Sequence, residues 1–275
     1  MMLSRRALMV LMPLLAGLGV ARRAAAIEVD GRFTQGGLVF GRAAAGSRVS
    51  LDAESIRVAA DGRFLVGFGR DHPPQSTLTI TRGMGQQENH KLAIAQRPYD
   101  IQRIDGLPQE KVEPDPEALK RIAAEQERLN AARARYTSLP HAFEAFDWPA
   151  IGPISGVYGS QRILNGQPRR PHFGVDVSAP AGTPLKAPAG GIISLADADL
   201  FFTGGTVMID HGHGLSSIFA HMQSVSAKEG DRVAKADVVG TVGATGRVSG
   251  PHLHWGMYLF NTPLDPQLLV PPMPA

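Results

Sequence analysis

Cysteine is absent from the 275 residues, which excludes a disulfide framework and a thiolate-bound metal; a metal centre has to be built from imidazole and carboxylate. Basic excess is small as well. The formal net charge is only +3, Arg5, Arg6, Arg22 and Arg23 supply part of it near the N-terminus, and the other Lys and Arg residues are scattered among acids, so the chain carries no nucleic-acid footprint. Long apolar runs are missing too. The stretch from Ala7 to Val20 is interrupted by Pro13 and falls short of the roughly 20 residues that a bilayer span needs. No glycan-binding repeat is recognisable, and a lipoprotein anchor lacks its cysteine.

What stands at the N-terminus is a different signal. Ser4-Arg5-Arg6 precedes the apolar run and Ala24-Ala25-Ala26 follows it, the order of a secretory signal peptide over residues 1–26. The expectation is export, by a general or a twin-arginine route, to a periplasmic or secreted location, with no stable membrane span after processing.

Residues 27–98 alternate short apolar runs with Gly, Asp and Asn turns. Gly37-Leu38-Val39-Phe40, Arg48-Val49-Ser50-Leu51, Ser55-Ile56-Arg57-Val58, Arg63 to Phe68, Thr77-Leu78-Thr79-Ile80 and Lys91-Leu92-Ala93-Ile94 read as strands, with Asp61-Gly62 as a hairpin turn. This pattern predicts a small antiparallel β-sandwich without a catalytic constellation, in which His72 and His90 are solvated turn residues. Residues 99–148 form a linker. Asp115 caps and Pro116 opens a helix expected over about 116–135, whose stripe Leu119, Ile122, Gln126 and Leu129 is narrow. It can dock at a domain edge, pair with a partner's helix, or fold back over a cleft. Pro140, Pro149, Gly152 and Pro153 then mark a boundary.

Residues 149–275 return to strand and turn. Gly191 to Leu195, Thr206 to Asp210, Leu215 to His221 and Val238 to Val242 read as strands, and His211-Gly212-His213-Gly214 as a hairpin turn, which makes His211 and His213 awkward ligands. Chemistry concentrates in two other stretches. Pro171-His172-Phe173-Gly174-Val175-Asp176 is an H-x-x-x-D pattern and Gly250-Pro251-His252-Leu253-His254-Trp255 an H-x-H pattern, with His221 between them. On a strand, side chains two apart share a face, so His252 and His254 point one way, Leu253 and Trp255 the other. An extended His172-to-Asp176 segment would hold its ends roughly 13 Å apart. The chain has to bend, and Gly174 is the residue that permits it. Three imidazoles and a carboxylate suit zinc in a hydrolytic site. Spacing alone does not separate His252 from His254 as ligand.

Together these motifs resemble the lysostaphin and LytM type of zinc metallopeptidase, which cleaves peptide bonds of bacterial peptidoglycan. Gly182-Thr183-Pro184, Asp210-His211-Gly212, Gly230-Asp231-Arg232-Val233 and Gly243-Ala244-Thr245-Gly246-Arg247 extend the likeness over about Gly152 to Pro266. The resemblance implies a mainly β chain: N-terminal β-sandwich, connecting helix, and an antiparallel β LytM-like peptidase domain with a groove over one Zn2+. By motif it assigns His172, Asp176 and His254 to the metal and His221 and His252 to catalysis. Arg247 and Tyr158 are further candidates for substrate contact, and Asn165-Gly166 with Arg169-Arg170 form a loop that can line the groove. The function it implies is a secreted metalloendopeptidase acting on peptidoglycan cross-links, with the D,D link as the expected bond. The alternative is a non-catalytic LytM-like regulator that binds wall or activates another hydrolase; members of that kind lack metal positions that are all present here.

Overall fold

The protein is described from a computed structural model covering residues 28–274; the segment expected to be a signal peptide lies outside them. The sandwich predicted at the N-terminus is present as two sheets. Glu28–Gly31, Leu38–Arg42 and Arg63–Gly67 form an antiparallel three-stranded sheet; Glu54–Ile56, Arg48–Leu51, Gln75–Thr81 and Gln87–Ala93, in that spatial order, form a four-stranded one. Alternation explains the packing. Val39, Phe64 and Val66 face Val49, Leu78, Ile80 and Leu92 across the sandwich. The opposite face of the three-stranded sheet is not solvated: Leu38 and Leu65 enter the core of the C-terminal part, and Arg97 ion-pairs at 2.8 Å with the buried Asp265. His72 differs from the expected solvated turn residue, being half-buried with Nε2 2.7 Å from Ser76 Oγ. His90 lies in the strand Gln87–Ala93, an edge strand whose polar residues alternate with Leu92, which is why the stretch read as a turn.

The helix Pro116–Arg133 starts where the cap predicted, with Asp115 Oδ1 accepting from the Ala118 N–H at 2.7 Å. Only its C-terminal half is anchored in a core, where Leu129 and Ala132 pack on Leu195, Leu200, Met208 and Ile218. Two features before it escaped the sequence. Ile101–Ile104 is a strand pairing parallel with Gln161–Leu164, and Gln109–Val112 is a single helical turn.

The C-terminal sheet runs, in spatial order, Arg232–Val233, Gly191–Leu200, Gly204–Gly212, Leu215–Val225, His252–Leu259, Val175–Ser178 and Ile154–Gly156. Every residue of Gly204–Gly212 is buried, so this strand is the keel of the sheet. His213 and Gly214 both have positive φ, 52° and 81°, the backbone of a two-residue hairpin turn between the two central strands. Side chains from Val175, Val177, Phe219, Leu253, Trp255 and Met257 fill one face. The opposite face of the strands bearing Asp176, His254 and His221 is left for chemistry. No helix among the described residues is long and apolar enough to cross a membrane.

Candidate metal and catalytic site

Three strands lay down the site. Val175–Ser178 pairs antiparallel with His252–Leu259 so that Asp176 is directly opposite His254, and His254 is in turn opposite Ala220, next to His221, on Leu215–Val225. His172 arrives from the irregular segment just before the first strand. The bend predicted at Gly174 is real, and space is its reason: a Cβ there would come within 2.6 Å of His254 Cε1 and of the Trp255 carbonyl oxygen. Gly156 does the same for the carboxylate, since a Cβ would meet Asp176 Oδ2 at 2.3 Å.

The resulting triad is tight. His172 Nε2 lies 2.9 Å from Asp176 Oδ1 and 2.9 Å from His254 Nδ1, and His254 Nδ1 is 2.8 Å from Asp176 Oδ1. Hydrogen bonding fixes what these atoms are. His172 Nδ1 faces the Val157 carbonyl at 3.1 Å, so its N–H is spent there and Nε2 presents a lone pair. Burial holds the His172 imidazole down to about 4, so this ring is neutral at physiological pH. An imidazole lone pair facing a carboxylate oxygen at 2.9 Å is repulsive unless a positive charge lies between them. The donor set, two nitrogens and one oxygen converging on one point, therefore fits a zinc ion. The spacings are somewhat tighter than the roughly 3.3 Å edge of a tetrahedral zinc site with 2.0–2.1 Å bonds.

Asp176 is held from both sides. Burial works to raise its pKa, but the imidazoles of His172 and His254 against it outweigh that and keep it well below the usual carboxylate range. Its other oxygen, Oδ2, accepts from Arg162 Nη2 at 2.8 Å. Arg162 was not singled out from the sequence; it lies on Gln161–Leu164, too short a strand to carry a periodicity that would have marked it.

His221 and His252 stand beside the triad, their ring centroids 5.0 Å apart, and His252 Nε2 is 3.8 Å from Asp176 Oδ1. Each gives its Nδ1–H to a carbonyl, Thr245 at 2.9 Å and Gly250 at 2.9 Å, which leaves the Nε2 atoms as acceptors. Burial first, then the nearby His254 and His252, hold His221 well below the ordinary imidazole range. His221 also has a left-handed backbone, φ 64°, inside a strand, a sparsely populated conformation for a non-glycine residue. His211 and His213 are elsewhere: His211 is enclosed between the Gly190 carbonyl and Ser217 Oγ, each at 2.7 Å, and His213 sits in its turn against Tyr136. Tyr158 is likewise away from the cleft, buried with its hydroxyl donating to the Pro263 carbonyl at 2.9 Å.

The segment between the sandwich and the C-terminal sheet borders the cleft. Gln102, Ile104 and Leu107 line a space of about 140 Å3 together with Asp176, His221, Arg247 and His252. Val112, Leu119, Ile122 and Gln126 line the adjoining space of about 560 Å3 with His172, His254 and Arg247. Of the three placements open for the helix, the one over the cleft is the one observed for its N-terminal half.

Comparison with known proteins agrees with this geometry. The profile of Peptidase family M23 matches residues 170–266. The DD-carboxypeptidase/endopeptidase Mpg of Neisseria meningitidis serogroup B is 39% identical over 105 residues, 38% of this chain and 24% of that protein. Peptidoglycan DD-endopeptidase ShyA of Vibrio cholerae is 30% identical over 129 residues, 46% of this chain and 30% of that protein. The chain thus spans less than a third of the length of either of these curated relatives. A Pseudomonas aeruginosa crystal structure described as peptidase M23 is similar over 87% of this chain and 95% of its own, with TM-score 0.67 and 29% identity. All five residues of the site fall within the matched segment, and over residues 170–266 the chain carries a Peptidase family M23 domain.

Proposed function

We propose that the protein is a zinc-dependent metalloendopeptidase that hydrolyses peptide cross-links of bacterial peptidoglycan, with the D,D link as its bond, and that it acts outside the cytoplasm in cell-wall remodelling. The observation that carries this reading is the convergence of His172 Nε2, Asp176 Oδ1 and His254 Nδ1 within 2.9 Å of one another, beside two further histidines with free Nε2 atoms. The printed names of the Neisseria and Vibrio relatives support the substrate and bond. We place residues 27–98 as the sandwich domain, 99–148 as the linker and 149–275 as the peptidase domain, after a signal peptide over 1–26.

His172, Asp176 and His254 hold the metal. When bound, zinc polarises a carbonyl as a Lewis acid and lowers the pKa of water toward about 7. The remaining work falls to the chain itself. His252 and His221, each with an acceptor Nε2 atom, take a proton from the attacking water and, once protonated, donate to the developing oxyanion and return the proton to the leaving nitrogen. Arg162 keeps Asp176 oriented through Oδ2, leaving Oδ1 for the metal side. Gln102, Ile104 and Leu107 screen this corner until the segment that carries them opens.

The test is hydrolysis of purified peptidoglycan by the protein from Ile27 onward, with released fragments identified by mass spectrometry and zinc measured on the same sample. Cross-linked dimers should fall to monomeric stems with the wild type and not with His252→Ala. Absence of both zinc and cleavage would move the assignment to a non-catalytic regulator that binds wall or activates another hydrolase.

A further inference from the structure

The wall of the cleft beside the triad is cationic, and most of that charge lacks an acidic partner. Arg162 is paired with Asp176. Arg169 and Arg247, both half-buried, make no ion pair among the described residues; each spends a guanidinium N–H on a neutral carbonyl instead. Arg169 Nη2 donates to the Val112 carbonyl at 2.9 Å, and Arg247 Nη1 to the Lys111 carbonyl at 3.3 Å, while Phe202 lies under the Arg247 guanidinium at 4.3 Å from its centroid. Arg247 lines both spaces of the cleft, so it bridges the corner with His221 and His252 and the corner with His172 and His254. Burial, with Arg162 and Arg169 adding like charge, lowers the Arg247 guanidinium to about 10.

Desolvated cations are costly unless an anion or several hydrogen bonds compensate them. Two guanidiniums on one wall of the cleft hold the carbonyls of adjacent residues of the same helical turn, Arg169 also giving Nη1 to the Pro168 carbonyl at 3.2 Å, and they present planar forks of the kind that a carboxylate fits in bidentate fashion. A stem-peptide substrate supplies that group and a neutral peptide segment does not. We propose that Arg169 and Arg247 form a subsite for a free carboxylate of the peptide substrate, alongside His172, Asp176 and His254, and that the carbonyls of Lys111 and Val112 hold its place until substrate arrives. The substrate class is then a peptide with an unblocked carboxylate near the scissile bond, and amidation of that group is selected against. This inference rests on the peptidase reading above.

The experiment uses the full chain, zinc-loaded, with His252→Ala so that the probe is not consumed. Acetyl-D-Ala-D-Ala and its C-terminal amide are titrated calorimetrically, in this background and with Leu107→Asp added, which loosens the segment carrying Lys111 and Val112. The carboxylate form should bind roughly ten-fold or more tightly than the amide. Arg247→Gln and Arg169→Gln should each reduce that preference towards one, with zinc content and melting temperature unchanged. Equal affinity for the two probes, a preference that survives both arginine variants, or no binding with or without Leu107→Asp overturns the subsite. A preference that persists in the arginine variants identifies the metal as the carboxylate's partner. Turnover of peptidoglycan by the wild type is read separately: cleavage without carboxylate discrimination leaves the peptidase and removes the subsite, and discrimination without cleavage does the reverse.

Discussion

The floor of the cleft and its cover are built to different standards. The floor rests on Gly204–Gly212 and Leu215–Val225, whose central residues are buried on both faces, and on a core that includes Trp255, Phe219 and Val175 at essentially no exposure. The cover, from Ile101 to about Gln126, is held by the small cluster Ile104, Leu107, Val112 and Leu164 and by one short parallel ladder. Ion pairs add little to it. Arg121 with Asp199 is largely exposed, and such a pair contributes on the order of 0.5 kcal/mol. Opening free energies follow buried apolar contact, so the cover is the part that can open while the floor stays folded. The space beside His221 and His252 is about 140 Å3, room for a few waters, and it adjoins the one of about 560 Å3 beside His172 and His254, so an opening of the cover widens the narrower corner.

The largest expected effect lies on the floor. Asp176→Ala and His254→Ala should each lose stoichiometric zinc and lower peptidoglycan hydrolysis by about a thousand-fold or more, with circular dichroism unchanged because the sheet's core does not touch the ligands' face. Near-normal zinc in His254→Ala refutes the ligand assignment. Chelation of the wild type should likewise abolish activity without melting the fold.

The cover predicts the opposite sign. Leu107→Asp removes a buried side chain from a four-residue cluster and should raise kcat/KM on peptidoglycan by about ten-fold, while hydrogen exchange in Gly204–Gly212 stays slow. Equal or lower activity, with the cover's amides exchanging faster, would show that the segment builds the site rather than screening it.

The same contrast sets what the sequence disclosed. Asp115-Pro116 and the alternation His252-Leu253-His254-Trp255 are local devices, each satisfied by neighbours within a few residues and found where the pattern put it; of the turn expected over His211 to Gly214, only His213 and Gly214 turn, His211 and Gly212 ending the strand before it. His172, Asp176 and His254 were legible as members of two spaced motifs, with the choice of His254 over His252 resting on the resemblance; Asp176 and His254 meet because Val175–Ser178 pairs with His252–Leu259, and His172 joins them from the segment just before. The cover was not legible. Ile101-Gln102-Arg103-Ile104 is a weak strand whose partner, Gln161–Leu164, is remote in sequence, and a parallel register leaves no turn to announce it. Arg162 was invisible for the same reason: its role exists only once Gly156 makes room for the carboxylate it holds.

Acid should act on the floor through His211, which is fully enclosed and lowered to about 4 by burial. The unfolded chain takes up this proton near pH 6.5 and the folded chain only near 4, so stability is full above about 6.5 and declines as pH falls toward 4. About 3 kcal/mol is the ceiling on that loss. Urea titrations from pH 7.5 to 4 should show the decline in the wild type and a shallower one in His211→Gln, even if that variant starts lower. Parallel curves would assign the acid sensitivity to other groups.

The smallest effect concerns a left-handed residue within one of the floor's strands. His221 keeps φ at 64° although it is not glycine, because its N–H is tied to the Thr203 carbonyl at 2.7 Å and its Nδ1 to Thr245 at 2.9 Å, which together hold the ring over His252. Removing the ring removes the chemistry in either of two ways, and the backbone distinguishes them. Glycine adopts this conformation freely, whereas alanine keeps its cost of about 1 kcal/mol. His221→Gly should therefore be more stable than His221→Ala by about that amount at neutral pH, with both inactive and both still binding zinc. An alanine variant at least as stable as the glycine one would mean that the left-handed turn relaxes once the imidazole is gone, and that His221 itself imposes the backbone geometry rather than accepting it.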